Sequence, residues 1–370
     1  MQKTVGTPSV IKELNKNVIK DIIKTKGPVS KPEIAKIAKL SLVTVNKIVD
    51  LLLEENQVKI SEMNQNTVGR KAQYFVINEN AGYYLGLYYR NGHFTGAVAN
   101  SIGTIVHEEE FSVRKGSLET VMEDTTDAVR VLRNKCENVP VLAVGIGVPG
   151  VVQDGCVSNI PQIPEWEGVD VAGILEEMLG LNVYLENDIN LLTLGVYYGD
   201  FKNEAENLLL AYLDQGIGAG IILNGNLFKG STNFAGEFGN LPIPKEMAEP
   251  ENGRENLENQ LMKLREQLKA AEKGGNAKKG EALRHRYLQI VAYGLLSVVC
   301  ILNPEVIVIQ CETVSQEDLS FIEKQMEEYV GVEHMPWITK ISRIQNYGVQ
   351  GAVNLCIREN SPSYFLEKRG

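Results

Sequence analysis

The order of predicted strands and helices beyond Tyr83 occurs twice along the chain. Three strand-like runs, "YYLGLYYR", "FTGAVANS" and "TIVHEEEFSV", precede a helix from Ser117, and then come a strand, a helix, a strand and a helix from Asp188. A second, similar series starts with "NLLLAYLD", "GAGIILN" and "NLFKG" and ends in a helix from Gln350. Two strand-rich α/β lobes with one succession of elements are typical of a duplicated fold with a cleft between the lobes.

The length of the chain sets the number of domains. A chain of 370 residues exceeds one ordinary core and suits two or three domains. We expect a head over 1–80, a first lobe over 81–200 together with a C-terminal helix over 349–370, and a second lobe over 201–348.

A charge-dense segment lies inside the second series, over 245–281. It overlaps a long helical region over 255–302 and is interrupted by Gly274-Gly275. This pattern predicts an exposed helix with a flexible break.

Composition excludes several classes of protein. No run of 18 apolar residues occurs, and the N-terminus has no apolar stretch behind its charges, so neither a membrane span nor a signal peptide is indicated and the cytoplasm is expected. No C-x-x-C pair occurs, which argues against a disulfide framework or a cysteine-rich zinc site. We therefore expect buried thiols at Cys136, Cys156, Cys300, Cys311 and Cys356.

The formal charge is divided unevenly along the chain. Residues 1–80 hold 13 Lys and Arg against 8 Asp and Glu, whereas the remaining residues hold 24 against 39, within a total net charge of -10. A basic head on an acidic body is the asymmetry expected when one domain meets a polyanion.

The head begins with short helical patterns. The first helix has one apolar face that ends before a Gly-Pro pair; this face comprises Leu14, Val18, Ile19, Ile22 and Ile23. A second helix opens at "SKPE", where Ser30 can cap, Pro32 suits the first turn and Glu33 completes a capping box. Lys39 stands where the turn between helices often uses a left-handed glycine, which costs about 1 kcal/mol for a residue with a side chain.

The third helix carries the residue types that read DNA. Its core face, at helical spacing, comprises Val45, Ile48, Val49 and Leu52. The other face of its first turns has short polar or methyl-bearing side chains, the types that contact base edges in a major groove. From this helix start we expect DNA contacts by Ser41, Val43, Thr44, Asn46 and Lys47.

Two strand-like runs, "QVKISE" and "AQYFVI", complete the head and are separated by the polar segment "MNQNTVGRK". They predict a hairpin wing whose Arg70 and Lys71 contact backbone phosphate or the minor groove. Helices and wing together form a winged helix-turn-helix, a module that binds DNA or, in the alternative, another protein.

Several motifs of this sequence resemble the ROK family of repressors, open reading frames and sugar kinases. The head resembles that of the repressor branch, and the body motifs are "VGIGVPGVV", "LENDINLLTLG", "GIGAGIILNGNLFKGSTNFAGEFGNLPI" and "LNPEVIVI", in the family's order. The resemblance implies an actin-like, ribonuclease-H-like two-lobed α/β body with sugar bound in the cleft. It also implies a homodimer or tetramer as the working form.

The sequence departs from the family's nucleotide motifs at three places. Tyr88 stands where family kinases have the aspartate of D-x-G-G-T, and Arg90-Asn91 replaces its glycines. Asp214-Gln215 replaces the Gly-Thr before "GIGAGI", where an anion would repel phosphate oxygens. Gln310-Cys311 replaces paired glycines after "PEVIVI". Because phosphoryl transfer depends on positioning metal and phosphates, we expect no kinase activity, no catalytic residue and no nucleotide cofactor.

The family's zinc motif is also altered. Asn240 stands in place of its histidine, and "ENGRENLE" replaces the cysteine loop. Four soft or borderline ligands cannot be assembled from this segment, so no structural metal is expected.

Asp188 has three possible roles. By resemblance the triplet Glu186-Asn187-Asp188 binds sugar and bears the base of the kinases, yet without phosphate loops a carboxylate here would serve in sugar recognition. A helix cap is the remaining possibility. The resemblance further implies sugar contacts by Asn159, Asn187, Asp188, Glu237, Asn240 and Glu258. Glu258 could instead be solvated, Asn159 could only form a turn, and Trp166 could stack on a sugar or pack in the core.

Together these features predict a bacterial transcriptional repressor with a sugar-sensing body. Two heads on a symmetric oligomer would bind an inverted-repeat operator in double-stranded DNA, and no membrane partner is expected. Two other functions stay open: an active sugar kinase with an appended head, and a DNA-binding or scaffold protein that needs no effector.

Overall fold

The computed structural model describes residues 8–61, 73–160, 162–214, 216–244, 255–341 and 345–360. The chain folds into two compact units. The first contains the described residues up to Ile146, the segment Val171–Leu185 and the described residues from Ala352 onward. The second contains Gly147–Asp170 and Glu186–Gly351. The chain thus passes between the units at residues 146/147, 170/171, 185/186 and 351/352. The expected lobes exchange only near residues 200 and 348, and those domain boundaries stay a prediction.

The head belongs to the first unit. Its described helices and strands, in chain order, are α1 (Pro8–Lys26), β1 (Val29–Ser30), α2 (Lys31–Ala38), α3 (Leu42–Glu54), β2 (Val58–Ile60) and β3 (Tyr74–Ile77). The strands form an antiparallel sheet in the order β1-β3-β2, in which Val58 pairs with Ile77. Three helices followed by this hairpin are the arrangement predicted from the sequence; the hairpin's connecting residues lie outside the described ranges.

Local signals in the head correspond closely to its structure. The Glu33 carboxylate accepts from the backbone N–H of Ser30 at 2.8 Å and from its hydroxyl at 2.7 Å, so the pair fixes the start of α2. Lys39 adopts the left-handed conformation at φ 52°. Val18 was predicted to lie on the apolar face of α1, but it is exposed. Ile19 and Ile23 of the same predicted face are buried in the head core.

The remainder of the first unit is built on a sheet in the hydrogen-bonded order β10-β7-β4-β5-β6. The elements of this part of the chain are β4 (Tyr83–Arg90), β5 (His93–Asn100), β6 (Ile105–Ser112), α4 (Leu118–Asn134), β7 (Val141–Val148), β8 (Val151–Gln153), β9 (Cys156–Ser158), α5 (Val171–Leu179) and β10 (Val183–Asn187). The last residues of β7 and β10, and the β8–β9 hairpin, belong to the second unit. The β10 end therefore carries Glu186 and Asn187 into that unit.

The second unit contains a sheet in the order β13-β12-β11-β14-β15. Its elements are α6 (Asp188–Val196), β11 (Leu208–Tyr212), β12 (Gly218–Leu223), β13 (Asn226–Leu227), α7 (Leu257–Lys273), α8 (Ala277–Leu302), β14 (Val306–Gln310), α9 (Leu319–Val330), β15 (Trp337–Ile341) and α10 (Gln345–Glu359), of which the last turns of α10 belong to the first unit. Parallel pairing joins β11 to β14 and β14 to β15, and antiparallel pairing joins β11 to β12. The last helix starts five residues before the predicted Gln350.

The charged segment was expected to form an exposed helix, and this is wrong for α7. Its apolar residues recur at helical spacing, and one face, which includes Leu257, Leu261 and Leu264, is fully buried in the core of the second unit. The break at Gly274-Gly275 does separate α7 from α8.

Within the described ranges, α8 is the one helix long and apolar enough to cross a membrane by length and composition. Side chains along it, among them Tyr287, Val291 and Leu295, are buried in the core of the second unit. The helix therefore has the burial of a core helix.

Only three cysteines are buried as expected: Cys136, Cys311 and Cys356. Cys156 and Cys300 are exposed, Cys156 at the start of a short hairpin strand and Cys300 near the end of α8. The spacing of cysteines along the sequence does not tell which of them are buried. The expectation of five buried thiols is wrong for these two residues.

Candidate functional site

A cavity of about 320 Å³ opens within the second unit. Its described lining comes mainly from four short stretches and one helix start, namely residues 149–152, 186–190, 216–219 and 235–237 with Glu258. Asn159, Gln162 and Asn233 also line it. The volume is in the range of small-molecule sites in proteins.

The turn from β10 into α6 forms one wall. Asn187 is the cap of α6, and its side-chain oxygen accepts from the N–H groups of Ile189 at 2.9 Å and Asn190 at 3.1 Å. Its amide donates to the carbonyl of Gly150 at 2.8 Å. Asn187 therefore fixes this wall and has its donors and acceptor largely committed within the protein.

Asp188 occupies the first position of α6 and lines the cavity. One carboxylate oxygen accepts from the N–H of Ile189 at 2.9 Å. The partial positive charge of a helix N-terminus stabilises an anion at this position. The cap itself is Asn187, so capping alone does not account for a carboxylate at residue 188.

Glu186, at the end of β10, is only 2% exposed. Its carboxylate accepts from Lys229 Nζ at 3.0 Å, from the N–H of Asn187 at 2.9 Å and from the amide of Asn190 at 2.9 Å. A buried carboxylate needs such partners because desolvation of a charge is costly. Sequence reasoning missed Lys229, and no pattern links it to a residue 43 positions earlier.

Two further carboxylates form another part of the lining. Glu258, in the first turn of α7, accepts from the N–H of Ile217 at 3.2 Å and is half-buried, so it is not merely a solvated residue. Burial, and then the nearby Glu258 carboxylate, raise the pKa of Glu237 above its ordinary value. Asn240 is exposed and does not line the cavity, but its amide lies 3.4 Å from a Glu237 oxygen to which it donates.

Asn159 lines the cavity from the segment that follows β9. It has a left-handed backbone at φ 55°, and its N–H donates to Glu167 at 3.2 Å, so it both forms a turn and contributes to the lining. Trp166 is fully buried and is not among the described lining residues, which makes the stacking interpretation wrong.

The glycines of the β12 segment serve close packing. A Cβ atom on Gly220 would lie 1.8 Å from Thr193 Oγ1 of α6, which only glycine permits. The α6 helix, and with it Asp188, is thereby held against the sheet.

The face of α3 carries most of the residues predicted to contact DNA. Val43 is 64% exposed and Lys47 is exposed, while Thr44 and Asn46 are half-buried. The Ser41 hydroxyl accepts from the N–H of Thr44 at 3.1 Å, so it caps α3 as predicted. Arg70 and Lys71 lie outside the described residues.

A second cavity, of about 480 Å³, lies beside this face. Val43, Thr44 and Lys47 of α3 line it together with residues of α1 that include Lys12 and Asn15. Sequence reasoning did not place α1 beside the helix that was expected to read DNA.

A model of the ROK family matches residues 84–359. The chain belongs to the ROK family. It is 28% identical over 246 residues to a putative xylose repressor of Caldicellulosiruptor sp. strain Rt8B.4, covering 65% of this chain and 61% of that protein. It is 25% identical over 248 residues to the DNA-binding transcriptional dual regulator NagC of Escherichia coli K12, covering 65% and 60%. The chain thus spans about three fifths of the length of these curated relatives.

Solved structures share the fold of this ROK protein. A ROK family transcriptional regulator described as a homolog of the E. coli MLC protein superposes with a TM-score of 0.79 at 18% identity, over 95% of this chain and 97% of that one. A ROK hexokinase from Thermus thermophilus gives 0.65 at 23% identity, over 75% and 98%. The predicted fold, an α/β ROK body behind an N-terminal head, is confirmed.

Three of the residues that depart from the nucleotide motifs named in the sequence analysis have defined surroundings. Tyr88 is buried in β4 opposite Thr95, and Arg90 ends that strand before a two-residue turn. Asp214 is buried; one of its carboxylate oxygens accepts from the N–H of Glu312 at 2.9 Å, and its carbonyl accepts from the Arg265 guanidinium. Gln215 lies outside the described residues.

Proposed function

We propose that this ROK chain is a sequence-specific DNA-binding transcriptional regulator that represses sugar-utilisation genes and senses a sugar or sugar derivative. The similarity to a putative xylose repressor and to NagC supports this class of function. One observation carries the proposal: Asp188 and Glu258 line one cavity in a chain whose N-terminal head exposes Val43 and Lys47 on α3.

DNA binding is assigned to the first turns of α3. Val43 and Lys47 would contact base edges or a thymine methyl, with Asn46 and Thr44 beside them and Ser41 holding the helix start. Arg70 and Lys71 would bind phosphate or the minor groove. Two heads on a homodimer or tetramer would contact the half-sites of an inverted repeat, in the cytoplasm.

Sugar binding is assigned to the cavity of the second unit. Asp188 and Glu258 would accept hydrogen bonds from sugar hydroxyls, with Glu237 and Asn159 as further contacts. Asn187 would position Asp188, because its side chain is engaged with α6 and Gly150. Asn240 would act through Glu237, to which it donates.

We also propose that the chain does not transfer phosphate. By the resemblance, Tyr88 stands where ROK kinases have an aspartate, and a phenol is a poor replacement for a carboxylate that positions metal. By the same resemblance, Asp214 stands where they have a glycine, and an anion there would repel phosphate oxygens. The Arg265 guanidinium additionally binds the carbonyls of Leu213 and Asp214, the two residues that follow β11.

The experiment that tests the proposal has a DNA and a sugar arm. Duplexes selected from a randomised pool by the full chain should contain an inverted repeat, and fluorescence anisotropy should show that one monosaccharide changes the affinity for this repeat. Recovery of no preferred sequence would contradict the DNA assignment. Selected DNA with no response to any sugar would instead favour an effector-free DNA-binding protein.

An active kinase is the second candidate, because the fold is shared with a ROK hexokinase. ATP-dependent phosphorylation should be measured over hexoses, pentoses and amino sugars for the wild type and Asp188→Asn. We expect no turnover in either protein. Turnover that the substitution abolishes would establish the kinase instead.

A further inference from the structure

The groove between α1 and α3 of the head, of about 480 Å³, is lined by apolar side chains from both helices. Ile11 of α1 is 51% exposed and Val43 of α3 is 64% exposed, and the buried Ile48 and the half-buried Leu51 also line this α1–α3 groove. DNA presents mainly phosphates and polar base edges, so a thymine methyl can cover Val43 but does not account for Ile11 on the other helix. Exposed apolar surface with polar residues at its rim is typical of a protein-binding site.

The charges of the groove are sorted along α3. Lys47 lies in the first half of this helix, whereas Asp50 and Glu54 lie in its second half, and all three line the groove at helical spacing. Lys12 of α1 adds a second cation to the lining. Asp50 pairs with Lys31 at 2.5 Å, so within the described part of the chain Glu54 is the carboxylate that remains for a partner. DNA phosphates would be repelled by this acidic half of the groove, which therefore fits a partner that carries a cation.

This order of charges is complementary to itself. When two copies of α3 pack antiparallel about a two-fold axis, the same patch meets itself, and Lys47 of each copy comes beside Glu54 of the other. The two residues are about 10 Å apart along the helix, so one such ion pair forms on each side of the axis. The contact also removes the exposed apolar side chains of both grooves from water, which contributes more favourable free energy than exposed ion pairs alone.

Such a contact covers residues that are expected to read DNA, because Val43, Thr44 and Lys47 all line the groove. A head whose groove is occupied in this way cannot place the start of α3 in a major groove. We propose that the α1–α3 groove docks on the same groove of a second copy of this chain, and that this head-to-head contact competes with DNA. The docking rests on the groove itself, and the competition rests on the proposed function.

Carbodiimide coupling of the full chain tests the docking, because it joins a lysine amine to a carboxylate only where the two groups meet. Heavy-nitrogen-labelled and unlabelled chains should be refolded together, coupled and digested, so that links between copies carry both labels. We expect mixed-label peptides that join Lys47 to Glu54, and a saturating duplex of the selected operator should lower their yield by about tenfold or more.

Each outcome of the coupling bears on one part of the inference. Absence of the mixed-label link in a chain that selects an operator overturns the docking and leaves the regulator assignment intact. A link whose yield the operator does not change overturns the competition. A mixed-label link in a chain that selects no DNA supports the docking and contradicts the proposed function.

Two substitutions on α1 test whether the groove makes the contact. Ile11→Ser removes an exposed apolar side chain from the lining and should lower the yield of the Lys47–Glu54 link by about fivefold or more, since the two-fold contact loses this side chain twice. Val18 is 44% exposed on the same helix and is not among the described lining residues, so Val18→Ser is the matched control and should leave the yield unchanged. The Tm of both variants shows whether the head stays folded. Equal losses from the two substitutions, or no loss from Ile11→Ser, would show that the groove is not the docking surface.

Discussion

The Lys229 ammonium lies 3.0 Å from the carboxylate of Glu186, whose side chain is 3% exposed while that of Lys229 is 36% exposed. The pair joins the segment after β13 to the end of β10, and the same carboxylate holds the amide of Asn190 in α6. The Glu186 carboxylate therefore connects the end of β10 both to the segment after β13 and to α6.

Removing the cation should destabilise the protein. Lys229→Ala leaves the Glu186 carboxylate buried with amide partners alone, and because Lys229 itself is partly solvated we expect a loss of about 1–3 kcal/mol in the free energy of unfolding. Denaturant titration at neutral pH measures it. The double variant Lys229→Met with Glu186→Gln removes both charges and should recover most of the loss. A double variant no more stable than Lys229→Ala would contradict the electrostatic explanation.

Glu237 should make stability depend on pH. Burial first, and the Glu258 carboxylate second, raise its pKa in the folded protein. Between its unfolded and folded pKa values the native state binds more protons than the unfolded chain, so stability is fully present below the unfolded pKa and is lost as pH rises through the folded pKa. Glu237→Gln removes this loss. The Tm of the variant minus the Tm of the wild type should therefore become more positive as the pH is raised from about 4 to about 7.

The control for this pH dependence is the exposed Glu266→Gln, whose Tm difference from wild type should not vary systematically over the same interval. Parallel behaviour of the two variants would mean that burial of Glu237 has no effect on the pH dependence.

Asn78 connects the head to the first sheet of the body. Its side-chain amide donates to the backbone carbonyl of Asn56 at 2.9 Å. Its own backbone carbonyl accepts from the Ser101 hydroxyl at 2.9 Å, and the N–H of Ser101 donates to the backbone carbonyl of Glu79 at 3.0 Å. Ser101→Ala should reduce the sugar-induced change in operator affinity by about 0.5–2 kcal/mol, because the head is then less firmly held to the body. Anisotropy titrations with and without sugar measure this change.

Operator affinity without sugar should be little altered by Ser101→Ala, since that residue lies outside the DNA-reading face. Ser320→Ala removes a comparable hydroxyl contact, to the Glu317 carbonyl, in the second unit and is the control. An unchanged sugar response in Ser101→Ala would exclude this hydrogen bond from the coupling.

Lys47 should contribute to operator binding. If Lys47 contacts a base, Lys47→Ala should weaken binding by about 1–3 kcal/mol and relax the preference at one base position. If Lys47 contacts phosphate, the substitution should instead reduce the slope of log affinity against log salt concentration by about one unit. Competition between selected and substituted duplexes at two salt concentrations distinguishes these contacts. Lys269→Ala removes an exposed charge from α7 and should change neither quantity; equal effects of the two substitutions would contradict a specific contact.

Features fixed by neighbouring residues could be predicted from the sequence. The core face of α3, the Ser30–Glu33 pair and the left-handed Lys39 all depend on spacings of a few residues, and the structure has each of them. The resemblance to the family also placed Asp188 and Glu258 in one site, and both residues line the same cavity.

Features fixed by distant residues could not be predicted. The Lys229–Glu186 pair spans 43 positions, and the hydrogen bond from the Asn187 amide to the Gly150 carbonyl spans 37. The burial of Trp166 and of one face of α7 depends on which surfaces pack together. A pattern of residue types does not contain this information, since it reports periodicity and not tertiary partners.

Gly220 should tolerate no side chain, because a Cβ atom there would lie 1.8 Å from Thr193 Oγ1 and 2.6 Å from its Cβ. Gly220→Ala should lower the free energy of unfolding by about 1–3 kcal/mol and weaken sugar binding as α6 moves with Asp188. Gly280→Ala is the matched control: it lies in α8 with nothing within 4 Å of its added Cβ, and should stabilise by about 0.4–1 kcal/mol. Denaturant titration and sugar calorimetry of both variants measure these effects. If Gly220→Ala is as stable as Gly280→Ala and binds sugar normally, close packing of β12 on α6 does not explain why glycine occupies position 220.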